Sequence, residues 1–137
     1  MNILITGGTG SLGSALTKRW IDEGNQITIV SRDDHKQAAM RQLYPSISFY
    51  SMDLGNADSY RRLLDVVEGQ DICVHAAAAK QVAEGEYQPF AYLYTNILGT
   101  LYLLQAWKHI HGNCRQMLFL STDKSISALN LYGGSKH

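Results

Sequence analysis

The sequence predicts a doubly wound α/β domain, with a parallel sheet of about five strands in the order 3-2-1-4-5 and helices on both faces. Three observations carry this expectation. Short β-rich apolar runs alternate with longer helical stretches along all 137 residues. A glycine-rich turn, TGGTGSLG, separates the first run from the first helical stretch. No repeat, low-complexity segment or linker interrupts the alternation, and the length is that of one domain.

The elements follow in order. Residues 2–6 are an apolar run that breaks at Gly7-Gly8, and residues 14–23 have helical character and stop at Gly24. QITIVS at 26–31 is a second strand; good helix formers fill 34–43, and Pro45 forbids continuation. Residues 47–52 read as a third strand, and 58–67 as a helix with Leu63, Leu64 and Val67 on its apolar side. DICVH at 71–75 is a fourth strand, followed by a loop of four alanines. A long helix is expected over 89–109 and a fifth strand, MLFLS, over 117–121. Strands alternating with helices require right-handed crossovers, hence a parallel sheet.

Composition narrows the function classes. Twelve basic and twelve acidic side chains cancel, and no block of like charge occurs, which argues against nucleic acid or a membrane surface as partner. Hydrophobic residues at 45% and charged residues at 18% are ordinary for a compact soluble domain. The chain opens directly into a strand pattern, without a secretory signal or an apolar run long enough to span a bilayer. Cys73 and Cys114 match no metal-ligand spacing, and Cys73, inside an apolar run, reads as a small buried hydrophobe. The expectation is a cytoplasmic, reduced protein without a metal.

The turn between the first strand and helix suits a dinucleotide. In a site of this kind Gly7 allows the tight turn, Gly10 lets backbone approach a pyrophosphate, and Gly13 packs helix against strand, with Thr9, Ser11 and Leu12 on the same loop. Amides at the helix N-terminus face the phosphates, aided by the helix dipole. The second strand ends in Ser31-Arg32-Asp33, where an NAD site offers a carboxylate to the ribose. Ser31 cannot repel a 2′-phosphate, and Arg32 with Lys36 can grip one, so the expected cofactor is NADP, with NAD the alternative. In the other reading Asp33 and Asp34 neutralise these cations in a solvated loop. Asp53-Leu54 closes the third strand, where the carboxylate accepts from an adenine amino group or caps a helix. Ala76, Ala77 and Ala78 put almost no side chain between a ligand and the edge of the fourth strand.

Tyr132 and Lys136 are four apart and share one helix face. A lysine ammonium beside a phenol favours the phenolate, which can take a proton from a sugar hydroxyl as hydride leaves for a nicotinamide. Thr122, just after the fifth strand, can hydrogen-bond the same hydroxyl. The alternative for Tyr132 and Lys136 is a surface pair; their position behind the fifth strand of a dinucleotide fold favours chemistry.

With these residues in view the chain resembles the extended short-chain dehydrogenase/reductases, nearest the inverting UDP-N-acetylglucosamine 4,6-dehydratases and related polysaccharide-biosynthesis proteins. The stretches that carry the likeness are TGGTGSLG, SRDDHKQAAM, DICVHAAAAKQV, EYQPFAYLYTNILGT, STDK and NLYGGSK. The resemblance implies a tightly held NADP(H) and a UDP-linked amino sugar. It implies oxidation at C4, loss of water across C5 and C6, and return of hydride to C6. It implies roles for Tyr132, Lys136 and Thr122 at C4, for Lys124 as the base at C5 and for Asp123 as the acid at the C6 hydroxyl. Lys80 and Asn96 match positions near the cofactor, although Asn96 also suits a structural place within a helix, and Asp123-Lys124 also suits a solvated loop. The chain departs from the family at Ala79, usually a large aliphatic residue, at Gln81, usually histidine, and at Ser127-Ala128, which lacks the common proline.

Family members run to roughly twice this length, so the expectation is that residues 1–137 are the NAD(P)-binding, N-terminal portion, with the substrate-binding region absent. Three functional readings follow: a dehydratase, with a UDP-sugar 4-epimerase as runner-up; a binding module that holds NADP without turnover; and a remnant that pairs through its open sheet edge as a homo-oligomer or with a longer relative.

Overall fold

The structure, a computed structural model, describes residues 1–77, 90, 93–112 and 115–120. Five parallel strands form one sheet in the order β3-β2-β1-β4-β5: β1 Asn2–Thr6, β2 Gln26–Ser31, β3 Ser48–Ser51, β4 Ile72–His75 and β5 Gln116–Phe119. This is the predicted doubly wound order. The helices fully within the described residues are α1 Ser11–Asp22, α2 Asp34–Leu43, α3 Tyr60–Val67 and α4 Gly99–His111, with a 3-10 turn at Ala57–Ser59 before α3 and a π turn at Leu93–Leu98 before α4.

Burial on both faces explains why β1 sits in the middle. Ile3 and Ile5 point to a cluster with Ile27, Ile29, Met40 and Ile47, against which α1 and α2 pack. Leu4 points the other way, to Val30, Met52, Leu54, Leu63, Val66, Val67 and Cys73, under Leu103, Ala106 and Trp107 of α4. The period of two in NILIT thus feeds two cores from one strand. Each fully buried aliphatic side chain contributes about 1.5–3 kcal/mol. Cys73 lies in this core as expected, and burial pushes its thiol upward, away from reactivity.

Several element ends shift by one or two residues, residues 58–59 belonging to the 3-10 turn and not to α3, and two differences are larger. Helix α1 begins at Ser11 rather than at residue 14, because Gly10 is its extended N-cap (φ −74°, ψ 176°) and Gly13 sits inside its first turn. Packing overrides the low helix propensity of Gly13: a β-carbon there would lie 2.5 Å from the α-carbon of Gly8. The long helix is not uniform, since its described part is a π turn that becomes α-helical at Gly99. A β-carbon on Gly99 would meet that of Leu54 at 3.2 Å, so the helix crosses close above the loop after β3.

The amino edge of the sheet is pinned by Asp71. Its Oδ2 accepts from the Asn2 amide at 2.8 Å, its Oδ1 pairs with Arg115, and its own amide donates to the Asn2 carbonyl at 2.7 Å. The Asn2 amide first, and the Arg115 guanidinium after it, hold this carboxyl below its usual range. A carboxyl depressed in the folded state adds stability above its unfolded value, near 3.9, and loses it as pH falls through the folded value. Asp71→Asn is therefore expected to lower the thermal midpoint at neutral pH, with the gap to wild type closing below about pH 4. A gap unchanged in acid would show that charge at Asp71 contributes nothing.

Candidate dinucleotide site

Strand order reverses between β1 and β4, so the crossovers that follow them leave to opposite sides of the sheet, the switch point at which α/β sheets bind ligands. Gly7, directly after β1, has φ +69°, and a β-carbon on it would lie 2.7 Å from the α-carbon and nitrogen of Ala77. The turn after β1 and the alanine loop after β4 therefore touch backbone to backbone. The Gly7 amide donates to the Val30 carbonyl at 2.8 Å, and Thr9 Oγ1 and Ser31 Oγ share a hydrogen bond of 2.9 Å, which ties the turn to the end of β2.

Gly10 differs from its neighbours. Gly7 and Gly13 lack side chains because protein backbone occupies the space, whereas among the described residues a β-carbon on Gly10 would meet only the Gly7 carbonyl oxygen, at an ordinary 3.4 Å. Its dihedrals are open to any residue, and no side chain caps α1. A bare backbone in open space, beside an uncapped helix N-terminus, fits a pyrophosphate. Ser11 and Leu12 are exposed at this end of the helix.

The adenosine side lies over β2 and β3. Ser31, the last residue of β2, is buried, and its hydroxyl is occupied by Thr9 and by the Asp33 amide at 3.2 Å. The Asp33 carboxylate is turned to the N-terminus of α2, where Oδ1 accepts from the Lys36 amide at 3.0 Å. Arg32 and Lys36 are exposed, and neither has an ion-pair partner among the described residues. Asp53 is exposed, with Oδ1 accepting from the Gly55 amide at 3.0 Å, while Leu54 turns its side chain into the core and has only backbone to offer.

Two positioning residues escaped the sequence reading. Gln37, buried in α2, donates through its side-chain amide to the carbonyls of Ser31 and Tyr50, both at 3.2 Å, and so holds the ends of β2 and β3 in register. His75, buried at the end of β4, stands opposite Thr6 in the ladder. Its Nδ1 lies 2.6 Å from Thr6 Oγ1, and its Nε2 lies 2.9 Å from Thr100 Oγ1. Thr100 donates its one hydroxyl proton to the Asn96 carbonyl at 2.9 Å, so its oxygen accepts from His75, and Nε2 carries the ring proton. Nδ1 then accepts from the Thr6 hydroxyl, whose oxygen accepts in turn from the Ala77 amide at 3.3 Å. The polar ends of ILIT and CVH, aligned by the register, were the available signal.

Among the predicted residues, the structure brings Gly7, Thr9, Gly10, Gly13, Ser31, Ala76 and Ala77 together at the carboxyl ends of the central strands. Asn96 is buried in the π turn. Ala78, Lys80, Thr122, Asp123, Lys124, Tyr132 and Lys136 lie outside the described residues.

The family model for polysaccharide biosynthesis proteins matches residues 3–137. The chain belongs to that family. It is 37% identical to the UDP-glucose 4-epimerase of Rickettsia rickettsii and 39% identical to that of Rickettsia bellii, in each case over 98% of this chain and 40% of the relative. The chain therefore spans about two-fifths of the length of these curated relatives. Among solved structures, Pen from Bacillus thuringiensis superposes with a TM-score of 0.89 at 30% identity, covering 98% of this chain and 41% of Pen. A UDP-glucose-4-epimerase from Stenotrophomonas maltophila, solved with NAD and formylated UDP-arabinopyranose, shares the fold at a TM-score of 0.85 and 24% identity, covering 99% of this chain and 45% of that one. Among the described residues no helix is long and apolar enough to cross a membrane.

Proposed function

We propose that residues 1–137 are the NAD(P)-binding domain of an enzyme that modifies a UDP-linked amino sugar, with NADP preferred over NAD. The observation that supports this most is the cradle at Gly10, where space is kept open that the described residues do not fill. Gly10, Ser11 and Leu12 would hold the pyrophosphate on a turn shaped by Gly7 and Gly13, Arg32 and Lys36 the 2′-phosphate, and Asp53 the adenine amino group. Ala76, Ala77 and Ala78, with Lys80 and Asn96, would line the nicotinamide side.

The bound cofactor supplies the hydride acceptor for oxidation of the sugar at C4. Tyr132 takes the C4 hydroxyl proton, Lys136 favours its phenolate, and Thr122 orients the hydroxyl. In the dehydratase reading Lys124 then removes the C5 proton, which the new ketone has acidified, and Asp123 protonates the departing C6 hydroxyl. The name of the curated relatives favours a second reading, a 4-epimerase, in which the acid-base pair at Asp123 and Lys124 has no work. No transmembrane helix is needed for either reaction, and we place the protein in the cytoplasm, where nucleotide sugars are made. Self-association through the β5 edge of the sheet belongs to the same proposal.

Calorimetric titration with NADP and with NAD tests the cofactor: NADP is expected to bind on the order of tenfold or more tightly, and absence of binding by either removes the proposal. Product analysis with a UDP-linked amino sugar tests the chemistry. In an enzyme completed with its substrate-binding region, Lys124→Ala is expected to abolish the 4-keto-6-deoxy product while C4 oxidation survives, whereas undiminished turnover to the C4 epimer would establish the second reading.

A further inference from the structure

Resting on the dinucleotide reading above, we propose that His75 is a positioning residue that couples the alanine loop to the π turn carrying Asn96, and thereby shapes the nicotinamide half of the site. The hydrogen-bond chain Ala77 N–H to Thr6 to His75 to Thr100 to the Asn96 carbonyl has links of 3.3, 2.6, 2.9 and 2.9 Å. Its members come from the alanine loop, the ends of β1 and β4, the start of α4 and the π turn before it, so no local sequence preference assembles it. Thr6 is fully buried and His75 nearly so, and the ring is further held by the edge of Phe119, at 5.7 Å between centroids.

Directionality gives the chain its function. Each hydroxyl proton is committed, so the ring is held in the Nε2–H form and cannot rotate without breaking two hydrogen bonds, one buried and one part-buried. The anchored Thr6 oxygen fixes the Ala77 amide, and Ala77 is the backbone against which Gly7 closes. At the other end, the Thr100 hydroxyl holds the carbonyl of Asn96 within the irregular turn at Leu93–Leu98, where a π register otherwise competes poorly with an α-helix. All of this lies on the β1–β4 side of the sheet, whereas Ser31, Arg32 and Asp53 lie on the β2–β3 side. The coupling should therefore be felt by a whole dinucleotide and not by its adenosine half.

The test is a double-mutant cycle read by titration of the 137-residue chain with NADP and with adenosine 2′,5′-bisphosphate. His75→Phe keeps the ring volume, and Thr100→Val removes only a hydroxyl at a half-buried position, so the second variant keeps the test alive if the first does not fold. Each is expected to weaken NADP about tenfold, the equivalent of one hydrogen bond lost from the site, and the double variant little more than either alone. The adenosine bisphosphate should bind all of them within about twofold of wild type. Unchanged NADP affinity in Thr100→Val, additive losses in the double variant, or an equal loss for both ligands would overturn the coupling. Wild-type chain that binds neither ligand would overturn the dinucleotide reading itself, and this proposal with it.

Discussion

Gly10→Ser is expected to stabilise the ligand-free chain slightly and to weaken dinucleotide binding on the order of 10–100-fold. The two effects have separate origins. Serine at an N-cap supplies the side-chain acceptor that α1 lacks, a gain of a few tenths of a kcal/mol over glycine. The same β-carbon and hydroxyl fill the space that backbone leaves open at that position. A phosphate displaced from the amides loses one or two charge-assisted hydrogen bonds, about 1.5–3 kcal/mol each. Gly13→Ala should behave in the opposite way, since its β-carbon would meet Gly8 at 2.5 Å and protein backbone cannot yield cheaply. That variant is expected to lose about 3 kcal/mol or more of stability, if it folds at all. Thermal melts and NADP titrations on both variants check the contrast. Equal damage to stability from both would mean that Gly10, like Gly13, serves packing and not a ligand.

The contrast between these glycines marks where a sequence stops being legible. TGGTGSLG shows glycine at 7, 10 and 13, and its place between a strand and a helix suffices to suggest a nucleotide. Only the fold separates a glycine needed by neighbouring backbone from one that leaves room. The sheet order was readable because NILIT, QITIVS and DICVH are short, apolar and separated by helix-length stretches, which constrains the crossovers. Element ends were less readable: α1 starts inside the glycine turn because tertiary packing outweighs local propensity, and α4 begins at Gly99, which packs closely against Leu54, far away in the chain. His75 was visible as a polar residue at the end of an apolar run and Gln37 was one polar residue among many, and their partners Tyr50, Thr6 and Thr100 are remote in the chain. A hydrogen bond across 69 residues leaves no periodicity to detect. Leu54 shows the converse, a site candidate by position whose side chain belongs to the core.

Arg32→Ala is expected to lower NADP affinity on the order of 10–100-fold while leaving NAD within about twofold. The end of β2 gives the reason. A carboxylate at Ser31 would repel a 2′-phosphate, but the residue there is a buried hydroxyl already engaged by Thr9 and by the Asp33 amide. The next carboxylate along the chain, Asp33, is held as the cap of α2 by the Lys36 amide, and it forms no salt bridge with Arg32. The guanidinium is thus exposed and available for a bidentate contact that lysine geometry does not reproduce. Lys36→Ala, which removes an exposed and flexible point charge, should cost only about threefold. Because the contact is solvent-exposed, NADP affinity should fall with added salt more steeply than NAD affinity, and Arg32→Ala should flatten most of that difference. A variant that kept both its NADP preference and its salt slope would place recognition of the 2′-phosphate elsewhere. Asp33 would then have to be freed from its cap for NAD to be the natural ligand, and Asp33→Asn, which keeps the cap while removing the charge, would reveal it through a loss of NAD affinity alone.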